Sequence, residues 1–98
     1  MTQSSNSLAG RVTLITGAAQ RIGAQIARIL HANGMDIALH YRHSAAAADA
    51  LKQELEQARP DSVLLARADL HQVEEFPALL GAIADWRGRL DLLVNNAS

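Results

Sequence analysis

The stretch Thr16-Gly17-Ala18-Ala19-Gln20-Arg21-Ile22-Gly23 constrains this chain more than any other feature. It is a turn of small residues wedged between an apolar run and a segment of helical periodicity, and it lets the backbone come close to a ligand. Upstream, Arg11 to Thr16 reads as a short buried strand, with Val12, Leu14 and Ile15 apolar and Gly17 stopping it. Downstream from Arg21, the residues Ile22, Ile26, Ile29 and Leu30 fall on one helical face, and Asn33-Gly34 supplies the helix stop. In a strand-turn-helix unit of this kind, the N–H groups of the turn and of the helix N-terminus are expected to face an anion such as a pyrophosphate.

The remaining chain repeats the alternation. Met35 to Tyr41 is a second strand that follows the helix almost without a loop. Ser44 takes the N-cap position of an alanine-rich helix that reaches Leu51 and Leu55 and stops before Pro60-Asp61, and Ser62 to Ala68 forms a third strand. A third helix lies between His71 and Arg87 with Leu79, Leu80, Ile83 and Trp86 on one face, its start blurred by Pro77, and Leu90 to Asn95 is a fourth strand. The order βαβαβαβ, with strands too apolar to face water on either side, predicts the α/β class: a Rossmann-type doubly wound parallel sheet covered by helices on both faces. That fold is built from two βαβαβ halves, whereas four strands are present here. Residues 1–98 are therefore expected to be the N-terminal part of a single domain whose remainder lies elsewhere, with a bare outer edge on the fourth strand.

Composition removes several alternatives. Hydrophobic residues at 49% and charged residues at 19% exclude disorder over most of the length. Nine Lys plus Arg against ten Asp plus Glu give a formal charge of −1, without the basic bias that nucleic-acid binding leaves. No apolar run approaches a membrane span, and Met1 to Ser7 lacks the apolar stretch of a signal peptide, so no membrane partner and a cytoplasmic location are expected. The absence of cysteine fits that compartment and excludes disulfides, thiolate catalysis and cysteine-ligated zinc. His40 and His43 read as sharing a loop, but two imidazoles without a third ligand make a poor metal site, and none is expected. His31 and His71 are expected at the surface and Trp86 in the core.

Cofactor choice is readable from the end of the second strand. A fold that prefers NAD keeps an Asp or Glu there, roughly 20 residues past the glycine turn, to bond the ribose hydroxyls. This chain has Tyr41-Arg42-His43-Ser44 instead, where an arginine, a histidine and a hydroxyl can surround a 2′-phosphate, so NADPH is expected. Arg21 places a cation against the positive end of a helix dipole, an arrangement that calls for an anion nearby. Asp69 ends the third strand, either as an N-cap of the next helix or as part of a site. Asn95 and Asn96 stand at the carboxyl end of the fourth strand, where open α/β sheets bind ligands.

Thr16-Gly17 with Ile22-Gly23, Asp69-Leu70, and Asn95-Asn96-Ala97-Ser98 together resemble the short-chain dehydrogenase/reductase family over nearly the whole chain. Two departures stand out: Arg21 and Ser98 each occupy a position where the common pattern has glycine. With Leu39-His40-Tyr41-Arg42-His43-Ser44, they look like the pteridine reductase branch, which reduces pterins, and in some members folates, with NADPH.

The resemblance implies cofactor contacts at Gly17, Arg21, Ile22 and Gly23, and puts Arg21 and Ser98 near both cofactor phosphate and bound pterin. It implies a 2′-phosphate site at Tyr41, Arg42, His43 and Ser44; the branch often has the His and Arg in the opposite order, which leaves open which of the two touches the phosphate. Asp69 and Leu70 would border the adenine, one of Asn95 and Asn96 would brace the sheet, and Asn96-Ala97 would meet the nicotinamide ribose. The family's proton donor is a Tyr in a Tyr-x-x-x-Lys pair beyond the fourth strand, but the only Tyr here is Tyr41 and the only Lys is Lys52. No catalytic residue is therefore nominated in this chain.

The implied function is hydride transfer from NADPH to a small-molecule dihydropterin or dihydrofolate, by a larger protein that includes this chain and is a homo-oligomer when complete. A 3-oxoacyl or carbonyl reductase of the same family is an alternative, against which Arg21 and Ser98 speak. A nucleotide-binding module without catalysis is another.

Overall fold

Four short apolar runs become strands, and the segments between them wind into helices. The computed structural model describes residues 8–19 and 21–96. In chain order the elements are β1 (Val12–Ile15), α1 (Arg21–Ala32), β2 (Asp36–Tyr41), α2 (Ala45–Ala58), β3 (Val63–Arg67), α3 (Glu75–Arg87) and β4 (Leu92–Val94). All strand pairs are parallel, in the order β3-β2-β1-β4. This is the Rossmann-type arrangement expected from the alternation.

Side chains alternate across the pleat and so build two cores. Ile15, Ile37 and Leu39 point toward α1 and α2 and pack with Ala24, Ala27, Leu51 and Leu55. Val12, Leu14 and Ala38 point the other way and meet Leu79 and Ile83 of α3. Leu14, Ile15, Ile37 and Leu39 are fully buried, each worth about 1.5–3 kcal/mol relative to exposure. No helix among the described residues is long and apolar enough to cross a membrane.

Several local expectations are corrected. On α1 the sheet-facing side is Gly23, Ala24, Ala27 and His31, whereas Ile22 and Ile29 are 68% and 61% exposed. The helix lies too close to the strands for branched side chains, so small residues take the contact and only Ile26 and Leu30 pack at its margin. His31 is buried instead of exposed: its Nε2 meets the Ser62 hydroxyl at 2.7 Å, and that hydroxyl donates to the Arg59 carbonyl at 2.5 Å.

Helix α3, Glu75–Arg87, falls inside the span from His71 to Arg87 that the sequence marks, and Asp69 organises the turn before it. The Asp69 carboxylate accepts from the His71 amide and the Asp69 carbonyl accepts from the Gln72 amide. Pro77 then falls in the first helical turn, where a missing N–H removes no intrahelical bond. Ser44 stands at the N-cap of α2 without making a side-chain cap bond. The strands are not uniformly shielded either: Leu92 and Leu93 of β4 are 40% and 48% exposed.

Candidate functional site

Parallel strands deliver all their carboxyl ends to one edge of the sheet, and the loops leaving those ends meet there. Thr16 and Gly17 follow β1, Arg42 follows β2, Ala68 and Asp69 follow β3, and Asn95 and Asn96 follow β4. They surround a cleft of about 510 Å³ lined by Gly17, Arg21, Ile22, His40, Arg42, Ala68, Asp69, Leu70, His71 and Asn96. A smaller pocket of about 220 Å³ adjoins it, formed by Gly17, Ala19, Tyr41, Arg42, His43 and Ser44.

The glycine turn is tied down on both sides. Gly17 has φ +62°, the left-handed region that favours glycine. Its N–H donates to His40 Nδ1 at 3.1 Å, and its carbonyl accepts from Asn96 Nδ2 at 3.1 Å. The Asn96 amide donates to the Thr16 hydroxyl at 2.9 Å, and that hydroxyl lies 3.1 Å from Asn95 Oδ1. Both asparagines therefore brace the turn against the end of β4. Gly23 closes the arrangement: a Cβ there would sit 2.5 Å from the Gly17 carbonyl oxygen and 2.7 Å from Asn96 Nδ2. Only glycine lets α1 approach this closely.

Two turn amides do not face an anion as the sequence suggests. The Gly17 N–H is committed to the His40 ring, and the Ala18 N–H donates to the His40 carbonyl at 3.0 Å. The first turn of α1 has amides without intrahelical acceptors, the kind of donors that could hold an anion.

Arg21 opens α1 with φ +57°, left-handed backbone that costs a non-glycine residue about 1–2 kcal/mol. Glycine would relieve that cost, so the side chain at this exposed position on the cleft is held there against backbone preference.

At the far end of the cleft, Arg42 Nη2 lies 3.2 Å from Asp69 Oδ2. The hydrogen bond from the His71 amide holds the Asp69 carboxylate below its ordinary pKa; desolvation opposes that shift, and the charges of Arg42, His71 and His43 assist it. Asp69 is thus a carboxylate at neutral pH, and Arg42 is a half-exposed cation pointing across the mouth of the site.

The structure brings together Gly17, Arg21, Ile22, Arg42, Asp69, Leu70 and Asn96 in the larger cleft, and Tyr41, His43 and Ser44 in the smaller pocket. Gly23 lies behind the turn, and Asn95 contributes through Thr16. Ala97 and Ser98 lie outside the described residues.

His40 and His43 do not share a loop: His40 is a buried residue of β2 and His43 follows the strand. Among the described residues, no group of three His, Asp or Glu side chains is placed to hold a metal ion. Sequence reasoning missed the parts that Thr16 and His40 play. The signal available was a polar residue inside an otherwise apolar strand, since a buried imidazole needs partners.

Residues 11–98 match the short chain dehydrogenase family. A pteridine reductase 1 of Leishmania tarentolae is 40% identical over 104 residues, covering 89% of this chain and 36% of that protein. A 3-oxoacyl-(acyl-carrier-protein) reductase of a Synechocystis species is 36% identical over 90 residues, covering 92% of this chain and 36% of its own length. A hydroxynaphthalene reductase of Aspergillus fumigatus is 34% identical over 90 residues, with 92% and 33% covered. The chain spans about a third of the length of these relatives.

Proposed function

The chain belongs to the short-chain dehydrogenase family, and from that premise we propose that it is the cofactor-binding part of an NADPH-dependent reductase acting on a dihydropterin or dihydrofolate. The observation that carries the reading is Arg21, kept in left-handed backbone at the helix N-terminus where glycine would be unstrained. A cation in that place can bond both a cofactor phosphate and the ring atoms of a flat, polar heterocycle, whereas a 3-oxoacyl chain offers no such ring.

The donor set suits a phosphorylated dinucleotide. Gly17 and Gly23 leave room for backbone to approach a pyrophosphate, and the first turn of α1 supplies amides. No carboxylate follows β2; Arg42, His43 and Ser44 line the smaller pocket, where they favour a 2′-phosphate over free ribose hydroxyls. When bound, a reduced nicotinamide supplies the hydride. This chain's residues bind and orient, and the proton donor is assigned to the rest of the protein, which in the same reading is a homo-oligomer.

The test uses the full-length protein carrying this chain, with NADPH oxidation followed for dihydrobiopterin, dihydrofolate and a 3-oxoacyl thioester in parallel. Arg21→Gly removes the cation while relaxing the backbone, so lost stability cannot explain lost turnover. The expected result is a fall of at least about 10-fold in kcat/KM for dihydropterin, about 1.4 kcal/mol, with thermal stability unchanged or raised. Faster turnover of the thioester by the unmutated protein, or equal losses for all three substrates, favours the 3-oxoacyl reading that the Synechocystis relative suggests.

A further inference from the structure

We infer that His40 is a positioning residue for this site, its imidazole fixed in one tautomer between the glycine turn and the end of β3; the inference rests on the proposed cofactor reading. Two contacts define the ring. The Gly17 N–H, which can only donate, lies 3.1 Å from Nδ1, and the Ala68 carbonyl, which can only accept, lies 2.8 Å from Nε2. The ring must therefore carry its proton on Nε2 and present a bare Nδ1. The residue is 3% exposed, so water does not compete for either bond.

His40 spans the sheet's carboxyl edge. From β2 it reaches the turn after β1 on one side and the segment before Asp69 on the other. Its backbone carbonyl also takes the Ala18 N–H, so one residue consumes the first two amides of the turn. With Asn96 holding the Gly17 carbonyl from the opposite side, the turn has one available register. That register leaves the amides of the first turn of α1, beside Arg21, for a pyrophosphate. It also locks the Gly17 wall of the cleft to the Ala68-Asp69-Leu70 wall. A cofactor entering such a site meets donors already in place and does not have to order them.

The test separates the two nitrogens. In the full-length protein, His40→Asn keeps an oxygen acceptor near the Nδ1 position and loses the reach to Ala68. His40→Gln keeps an N–H near the Nε2 position and loses the acceptor for Gly17. Both variants lose one bond and should melt earlier by similar amounts. NADPH affinity should separate them, with a loss of under about 3-fold for Asn and at least about 10-fold for Gln, the scale of one buried hydrogen bond. A merely structural role moves stability and leaves the affinities equal; equal losses, or a greater loss for Asn, overturn the inference.

Imidazole ¹⁵N spectra of the unmutated protein decide the matter if a variant does not fold. A bare Nδ1, a protonated Nε2 and a slowly exchanging Gly17 amide are expected with and without NADPH. The opposite tautomer, or a freely exchanging Gly17 amide, rejects the assignment. If the unmutated protein binds no NADPH, the proposed function fails, while the spectra still decide the tautomer.

Discussion

The two ends of the sheet hold similar charged residues and use them differently. At the amino end, Asp36 opens β2 and accepts from Arg59 at 3.3 Å and from Arg87 at 2.9 Å. Arg59 also donates to the carbonyls of His31 and Met35, while Arg87 donates to the Asp61 carbonyl and stacks its guanidinium 4.1 Å from the centre of the Trp86 ring. These arginines bind the end of α1 and the segments leading into β2 and β3, and are spent on the fold. At the carboxyl end, Arg21 sits in strained backbone and Arg42 makes one ion pair over an open cleft. An arginine bound on several sides to backbone carbonyls holds a structure together, and one kept against its backbone preference beside a cavity is available to a ligand.

The largest effect should come from Gly23→Val. Its Cβ would collide with the Gly17 carbonyl and Asn96, atoms that belong to backbone or to a braced side chain and cannot swing away. The expected cost is about 3 kcal/mol or more in unfolding free energy, together with loss of NADPH binding. Chemical denaturation and titration on the same sample measure both. A stable variant that still binds would show that α1 can retreat from the turn, and would remove the rigidity attributed to the carboxyl end.

Arg42→Asp should separate function from stability. It loses a surface ion pair, worth about 1 kcal/mol at most, but should weaken NADPH binding by about 2–4 kcal/mol by exchanging an attraction for a repulsion. NADH affinity should hold or improve. An equal loss for both cofactors would remove the 2′-phosphate assignment from this residue.

Asp36→Asn is the mirror experiment at the amino end. The amide keeps the shape but not the charge between Arg59 and Arg87, at a side chain 16% exposed, so stability should fall by about 1–2 kcal/mol. The NADPH dissociation constant should stay within about 2-fold, since among the described residues no hydrogen bond or ion pair joins Asp36 to the cleft. A large change in affinity would mean that the two ends are coupled through β2.

The contrast also explains what could be read from the sequence. Strand and helix order, the parallel sheet, and the residues Gly17, Arg21, Arg42 and Asp69 at its carboxyl edge were legible because each loop carries a local signature next to an apolar run. The amino end was not legible: Arg59 and Arg87 lie 23 and 51 positions from Asp36, and no short motif joins the three. The face of α1 was misread for a different reason. Ile22, Ile26 and Ile29 form a hydrophobic stripe by periodicity, but the distance between helix and strand selects the small residues Gly23, Ala24 and Ala27 instead. Ranking by hydrophobicity misses a contact chosen by size. His40 reads from the sequence both as part of the second strand, Met35 to Tyr41, and as sharing a loop with His43; pairing to Ala66 places it inside β2.

The smallest effect concerns His31, which ties α1 to the residue before β3 through Ser62. Burial lowers its pKa from the ordinary imidazole value, and the neighbouring Arg59 cation lowers it further. The sign follows from linkage. Above about pH 6.5 the ring is neutral in both folded and unfolded chains and contributes no pH dependence. As pH falls below that value the unfolded chain takes up a proton that the folded chain resists, so stability declines until the lower folded pKa is reached. The slope contributed by one such group cannot exceed about 1.4 kcal/mol per pH unit. The Asp69 carboxylate is shifted downward and acts in a more acid range, below its unfolded value near 4. His31→Gln keeps an N–H for Ser62 and removes the titration. Urea midpoints at pH 7.5, 6.5 and 5.5 should fall less steeply for this variant than for the unmutated protein, the other histidines being common to both. Identical slopes would mean that His31 takes up its proton without loosening the amino end, and that the end is less tightly closed than its hydrogen bonds indicate.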